Sequence, residues 1–361
     1  MILAAALFFG AAAVSLGAFT QTAAAEEGQE AETGLKGQIS SCKITGDKQN
    51  VEIVFSSSGN STGTDGKVYV FEQQTYEDSL DGRSDYIAWA DALSSSTATI
   101  PLNFGSTSDR LYSKFVLASF DGTSYKAISE PHYITNPEAV AKNTEAFKTP
   151  LTKKGLNIEI DMLDDAFDLG VKHVTTNIAF SQIMGTGIDY EYDGKTYHFN
   201  KAIVEDYDRT ISALSGKGMT VTAIILNGWN DATPDLIYPG TKKSSKAFYY
   251  LFNAATEAGF EQTKAIASFL AERYNGSNPD QGKISNWIIG NEINNQQWNY
   301  TGAWDLNSYV QAYQDAFRVF YTAIKSTSAN DRVYFSLDYN WNAEIDNKLK
   351  IRRKEISMGY L

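Results

Sequence analysis

From residue 149 onward, runs of β-branched and apolar residues alternate with stretches carrying apolar residues at helical spacing. No other feature of the chain restricts its fold as strongly. Residues 156–160, 171–180, 219–227, 284–289 and 332–340 read as strands, and 162–170, 200–216, 248–274 and 308–326 as helices. Strands interleaved with amphipathic helices make βαβ units, and βαβ units require a parallel sheet. No G-x-G-x-x-G follows any of the strands, which argues against a dinucleotide-binding fold. A (β/α)8 TIM barrel fits the grammar better, but it normally takes about 250 residues. Residues 149–361 number only 213 and supply five strands. The expectation is an α/β fold with an incomplete barrel over 149–347, three strands short.

The residues before it follow a different grammar. Short β-like runs at 39–44, 51–56, 67–72, 98–103, 112–120 and 127–134 are broken by Gly, Ser, Asn and Asp. Six short strands separated by turn signals predict an all-β sandwich over 36–136. Residues 26–35 are polar and acidic and read as a linker. Residues 2–19 are apolar or small, and Ala23-Ala24-Ala25 follows. That is the apolar region and cleavage pattern of a secretory signal over 1–25, although no Lys or Arg precedes it. Retention as an anchor is the alternative, since such a run approaches the roughly 20 residues that span a bilayer. At the other end, Lys348, Lys350, Arg352, Arg353 and Lys354 crowd residues 348–361. This basic tail reads either as out-of-frame sequence closing a truncated barrel or as a short surface helix.

Charge and residue usage exclude several functions. With 43 acidic against 31 basic side chains, the net charge is −12, which repels nucleic-acid backbones. One cysteine, Cys42, allows neither an internal disulfide nor a zinc ribbon nor a CxxC redox site. Three histidines, His132, His173 and His198, lack ligand-spaced partners and read as structural, so no metal site is expected. Asp161, Asp164, Asp165 and Asp168 read as an acidic helix start, and Asp206 and Asp208 lack calcium-loop spacing.

The sharpest chemical signal is Gly290-Asn291-Glu292, directly after the fourth predicted strand. In a parallel barrel, polar residues past a strand's C-terminal end face the active-site mouth. Trp287, Trp298, Tyr300 and Trp304 flank Glu292 in sequence. A carboxyl in a partly apolar, aromatic cleft stays protonated longer and can donate to a leaving oxygen. The plainer alternative is a helix start, with Asn291 capping and Glu292 in the first turn. Asn177, Asn227, Trp229, Tyr339 and Trp341 lie near other strand exits and, with Asn291 and Trp298, are candidate substrate contacts. Asp231 and Asp338 are carboxylates at two of those exits.

A Gly-Asn-Glu motif closing the fourth strand resembles the clan of retaining (β/α)8 glycoside hydrolases. The whole pattern is similar to an uncharacterised family of secreted bacterial glycosidase-like proteins with an N-terminal β-domain. The resemblance spans 157–342 and implies Glu292 as general acid/base, with Asn291 bonding the neighbouring sugar hydroxyl. It also implies a nucleophilic Glu ending strand seven, for which this sequence has no matching residue. The resulting expectation is a secreted or cell-surface hydrolase of an oligosaccharide or polysaccharide, without cofactor, active as the full-length family protein and inactive as this chain, its nucleophile lost with the missing strands. The rival is a non-catalytic carbohydrate-binding or cell-surface protein.

Overall fold

The computed structural model describes residues 37–57, 63–91, 95–302 and 304–339. The signal, linker and basic-tail readings, with Trp341, lie outside them. Period-2 burial shapes the N-terminal part. In β1 (Gly37–Ile44), Ile39, Cys42 and Ile44 turn inward, with a bulge between Ile39 and Ser41 resetting the register. In β2 (Asn50–Ser57), Val51, Ile53 and Phe55 do the same. The next strands are β3 (Lys67–Gln73), β4 (Ala88–Asp91), β5 (Ser96–Pro101), β6 (Lys114–Phe120), β7 (Tyr125–Ala127) and β8 (His132–Tyr133). They form two antiparallel sheets, β1-β2-β5 and β4-β3-β6-β7, with β8 also on β6. The run read as one strand at 127–134 is thus two short pieces, because Ser129 turns its hydroxyl onto the Leu117 N–H between them. Cys42 packs in this core, and burial pushes its thiol up to about 12.

The second part builds the parallel sheet. Its elements are β9 (Gly155–Asn157), α1 (Leu163–Asp168), β10 (His173–Ala179), β11 (Gly187–Tyr192), β12 (Lys195–Asn200), α2 (Lys201–Gly216), β13 (Thr220–Leu226), α3 (Glu257–Arg273), β14 (Asn286–Ile289), α4 (Leu306–Thr327) and β15 (Arg332–Tyr334). Strand order is β9-β10-β13-β14-β15, every pair parallel and every neighbour next in chain order apart from the inserted β11–β12 hairpin. All five expected strands are present, but β9 and β15 are shorter than read. After Tyr334 the chain leaves the ladder, and the Ser336 carbonyl accepts from the Ile293 N–H at 3.0 Å.

Side-chain caps start three of the helices. Asn200, Thr256 and Asp305 accept from the backbone N–H groups of Ile203, Gly259 and Ser308. The Thr256 cap explains why the helix expected from 248 begins only at Glu257. Residues 248–252 instead lie along the loop after β14: Tyr250 bridges Tyr300, and the Phe248 N–H donates to the Gln297 carbonyl. Along α4, Tyr309, Tyr313, Ala316 and Phe320 share one buried stripe.

Both parts share one continuous apolar cluster, running from Ile39 to Ile324. Across the join, Tyr76 and Tyr112 meet Phe260 of α3, with ring centroids 5.6 and 6.4 Å away. The Tyr133 hydroxyl donates to Asp315 at 3.0 Å, and Arg318 donates to the Ile134 carbonyl. Among the described residues, no helix is long and apolar enough to cross a membrane.

Candidate active site

At the C-terminal ends of β13, β14 and β15 the interior is polar, and most of its polar groups are uncharged. Asn227, Asn253, Asn294, Asn295, Gln296 and Asn299 are all buried there, together with the carboxylate of Asp338. Uncharged amides cost far less to bury than ions, provided they are hydrogen-bonded. Most of their atoms are. Asn227 Nδ2 donates to the carbonyls of Leu236 and Leu251, and Asn253 Nδ2 to Asp235 O and Thr256 Oγ1. Asn295 Nδ2 donates to Asp338 Oδ2 at 3.0 Å, while Asn294 Oδ1 accepts from the Asp338 N–H at 2.8 Å. Three amide atoms, Asn227 Oδ1, Asn294 Nδ2 and Asn299 Oδ1, have no partner among the described residues. Buried orphans of this kind are uncommon and each calls for an explanation; others among the described residues are at Glu138, Thr241, Asn286, Trp287 and Ser328.

The backbone is unusual at the same place. Gly290 (φ +72°) and then Glu292 (φ +45°) adopt left-handed conformations. For Gly290 this is free of penalty, and a Cβ there would lie 2.7 Å from Asn299 Oδ1. For a glutamate it costs about 1–2 kcal/mol and persists only when surrounding bonds enforce it. The Glu292 N–H donates to Ser336 Oγ at 2.9 Å, and its carbonyl accepts from the Asn295 N–H at 2.7 Å. Neither Asn291 nor Glu292 belongs to a helix, so the capping alternative falls. The Asn291 carbonyl accepts from Asn299 Nδ2 at 2.8 Å.

Aromatic residues border this region. The Trp298 ring stacks on Tyr249, with centroids 5.8 Å apart and planes at 16°, and Phe248 leans on it at 5.2 Å. Trp229 packs edge-on against Tyr250 and donates through Nε1 to Asp231 at 2.6 Å. Tyr339 is 78 % exposed. Asn177 lies on β10 opposite Ile224 of β13, half-buried and inside the strand instead of past its end. Asn227 is placed as a clamp between two loop carbonyls. Sequence reasoning missed Ser336, Asn294, Asn295, Asn299 and Tyr249; the Asn294-Asn295 pair so soon after Glu292 was the available signal.

Away from this region, His132, His173 and His198 bond to Tyr133 O, Thr152 O and Asp189. Among the described residues, no group of three or more His, Cys, Asp or Glu side chains could hold a metal ion. A cavity of about 630 Å³ lies between residues 104–112, the β11–β12 turn and α3. Its polar groups answer one another: Tyr112 hydroxyl with Ser268, Lys264 with Asp193 at 2.6 Å, and Asp109 with the N–H groups of Gly105 and Leu111. It is a seam between parts of the fold.

Residues 146–358, more than half of the chain, match the family of unknown function DUF5722. The chain belongs to that family. No curated protein matches it. Among solved structures, it is similar to the endoglucanase Cel5A of Thermotoga maritima, at 15 % identity over 49 % of this chain and 44 % of that one, with a TM-score of 0.28. It is also similar to the family 1 β-glucosidase of the same organism, at 18 % identity over 53 % and 39 %, with a TM-score of 0.33. The chain spans less than half the length of either. Likeness at this level says nothing about what this DUF5722 member does.

Proposed function

We propose that the strand-exit face is a glycoside-hydrolysing cleft in which Glu292 is the general acid/base. The observation that carries this reading is a carboxyl held in a left-handed backbone conformation immediately past a parallel strand. Its surroundings agree, being buried amides with unanswered donors and acceptors, bordered by a stacked Trp298–Tyr249 pair. In retaining hydrolysis Glu292 would protonate the glycosidic oxygen while a carboxylate nucleophile bonds the sugar carbon, and would then take a proton from the water that displaces that nucleophile; the described residues supply the first of these two roles. Asn291 would bond the adjacent hydroxyl, and no cofactor enters.

The monotonic strand order supports reading the sheet as five strands of a (β/α)8 barrel, because a doubly wound sheet reverses its order at a switch point. The two antiparallel sheets are read as a β-sandwich beside it. The nucleophile expected on a seventh strand has no counterpart among the described residues. The apolar run at 2–19 supports export, with the substrate an oligosaccharide or polysaccharide outside the cell.

Hydrolysis of a panel of aryl glycosides and soluble polysaccharides by this chain and its Glu292→Gln variant tests the assignment. In any turnover this chain shows, the variant is expected to lose about 10²–10⁴-fold in kcat; equal, measurable turnover by both proteins would remove Glu292 from the chemistry. One observation favours a second reading, binding without hydrolysis: the exposed Tyr339 and the Trp298–Tyr249 stack are platforms for a sugar ring. Saccharide retention in affinity gels, lost in Trp298→Ala while no substrate is cleaved, would move that reading first.

A further inference from the structure

We infer that Ser336, beyond the end of β15, is a positioning residue that holds Glu292 and Asn291 in register with one hydroxyl. This rests on the reading of Glu292 as acid/base. Ser336 Oγ accepts from the Glu292 N–H at 2.9 Å and donates to Asn291 Oδ1 at 3.3 Å. Its own carbonyl accepts from the Ile293 N–H at 3.0 Å. A single residue of the neighbouring strand exit therefore bonds three consecutive residues after β14.

A hydroxyl is suited to this because it accepts and donates at once, which neither a lysine ammonium nor a carboxylate does. The first bond restrains the residue whose backbone is least content, Glu292 at φ +45°. The second fixes the rotation of the Asn291 amide: with Oδ1 on Ser336, the Nδ2 hydrogens face the other way and stay available as donors. Gly290 allows the chain to enter this arrangement, and the Glu292 carbonyl–Asn295 N–H bond closes it. Removing the hydroxyl leaves the Ile293 bond and the fold in place but releases the direction in which the carboxyl is carried. Small errors of aim at a reacting group cost large factors in rate.

The test compares the wild-type chain with Ser336→Ala, Ser336→Thr and Glu292→Gln on whichever substrate the panel identifies. Ser336→Ala is expected to lower kcat about 10–100-fold with KM changed less than about threefold, and Ser336→Thr, which keeps Oγ, to recover most of kcat. Crystal structures of both Ser336 variants supply a readout independent of turnover: Glu292 should leave positive φ in the Ala variant and keep it in the Thr variant. Glu292 unmoved in the Ala structure, or kcat unchanged while Glu292→Gln is inactive, would overturn the inference. Activity surviving in Glu292→Gln would instead sink the assignment of the acid/base, with the structures still deciding what Ser336 holds.

Discussion

The two ends of the parallel sheet solve the same problem, the burial of polar groups, in opposite ways. At the strand exits the solution is mostly neutral: asparagines at 227, 253, 294, 295 and 299, several atoms of which stay unanswered among the described residues. At the strand entries charged groups dominate, although Asn286 Oδ1 also stays unanswered among the described residues. Lys283, just before β14, pairs with Glu145 at 3.5 Å and approaches Asp331 to 3.9 Å. Arg332 lies over the Phe147 ring at 3.5 Å, and His173 bonds the Thr152 carbonyl at 3.0 Å. Stability needs only that charges be matched, so the entry end can use ions. A site that must aim a carboxyl benefits from neighbours that supply direction without competing charge, and fixed amide dipoles do that.

The largest effect that would break this contrast sits at Asp331. Burial, resisted in part by Lys283, raises its carboxyl from 3.8 to about 7. A raised carboxyl pKa means that the fold prefers the protonated form. That contribution to stability is complete below about pH 4 and is lost as pH rises through about 7. Asp331→Asn should therefore be more stable than wild type at pH 8, by up to about 4 kcal/mol, with the gap closing toward pH 4. Urea titrations across that range measure it, and a variant less stable at every pH would mean that attraction to Lys283 outweighs the cost of burying the carboxylate. A matched pair of glycines gives the next effect. Gly290 and Gly218 have nearly the same φ, +72° and +73°, but a Cβ at Gly290 meets Asn299 at 2.7 Å whereas Gly218 faces open space. Gly218→Ala, at the entry end, should cost about 1 kcal/mol, and Gly290→Ala about 2 kcal/mol or more. Equal midpoints in denaturant would mean that the exit loop yields freely. The smallest effect expected is that of Tyr313→Phe, which removes the 2.7 Å bond from a buried hydroxyl to the Ile289 carbonyl. A loss of about 1 kcal/mol in the same titration is the expectation.

Residue period made much of this legible beforehand. The five parallel strands and the α2 and α4 helices follow from it, as does the place of Glu292 after the fourth strand. The β11–β12 hairpin was missed although Asp193-Gly194 sits between two alternating runs, a strong hairpin signal; both residues take positive φ, as such a turn requires. It fell in residues 181–199, which carry no predicted element between the strand read to 180 and the helix read from 200. Residues 248–256 read as helix because Phe248, Tyr249 and Tyr250 are apolar, yet the Phe248 and Tyr249 N–H groups donate to the Gln297 carbonyl, and Tyr250 donates to the Asn227 carbonyl and bridges Tyr300, all outside any helix. The role of Ser336 was invisible for a related reason. A serine bonded across strands carries no local pattern, and only the register of β14 against β15 brings it to Glu292.

The apolar cluster common to both parts has a consequence for the family boundary. The DUF5722 match begins at residue 146, but α3 and α4 present Phe260, Asp315 and Arg318 to residues 76–134. Those faces are interior surface only while the antiparallel sheets are attached. Heating should consequently give a single heat-absorption peak in place of two. A fragment cut at residue 146 would carry raw core on its flank and associate with itself, so the unit that heredity marks out is smaller than the unit that melts.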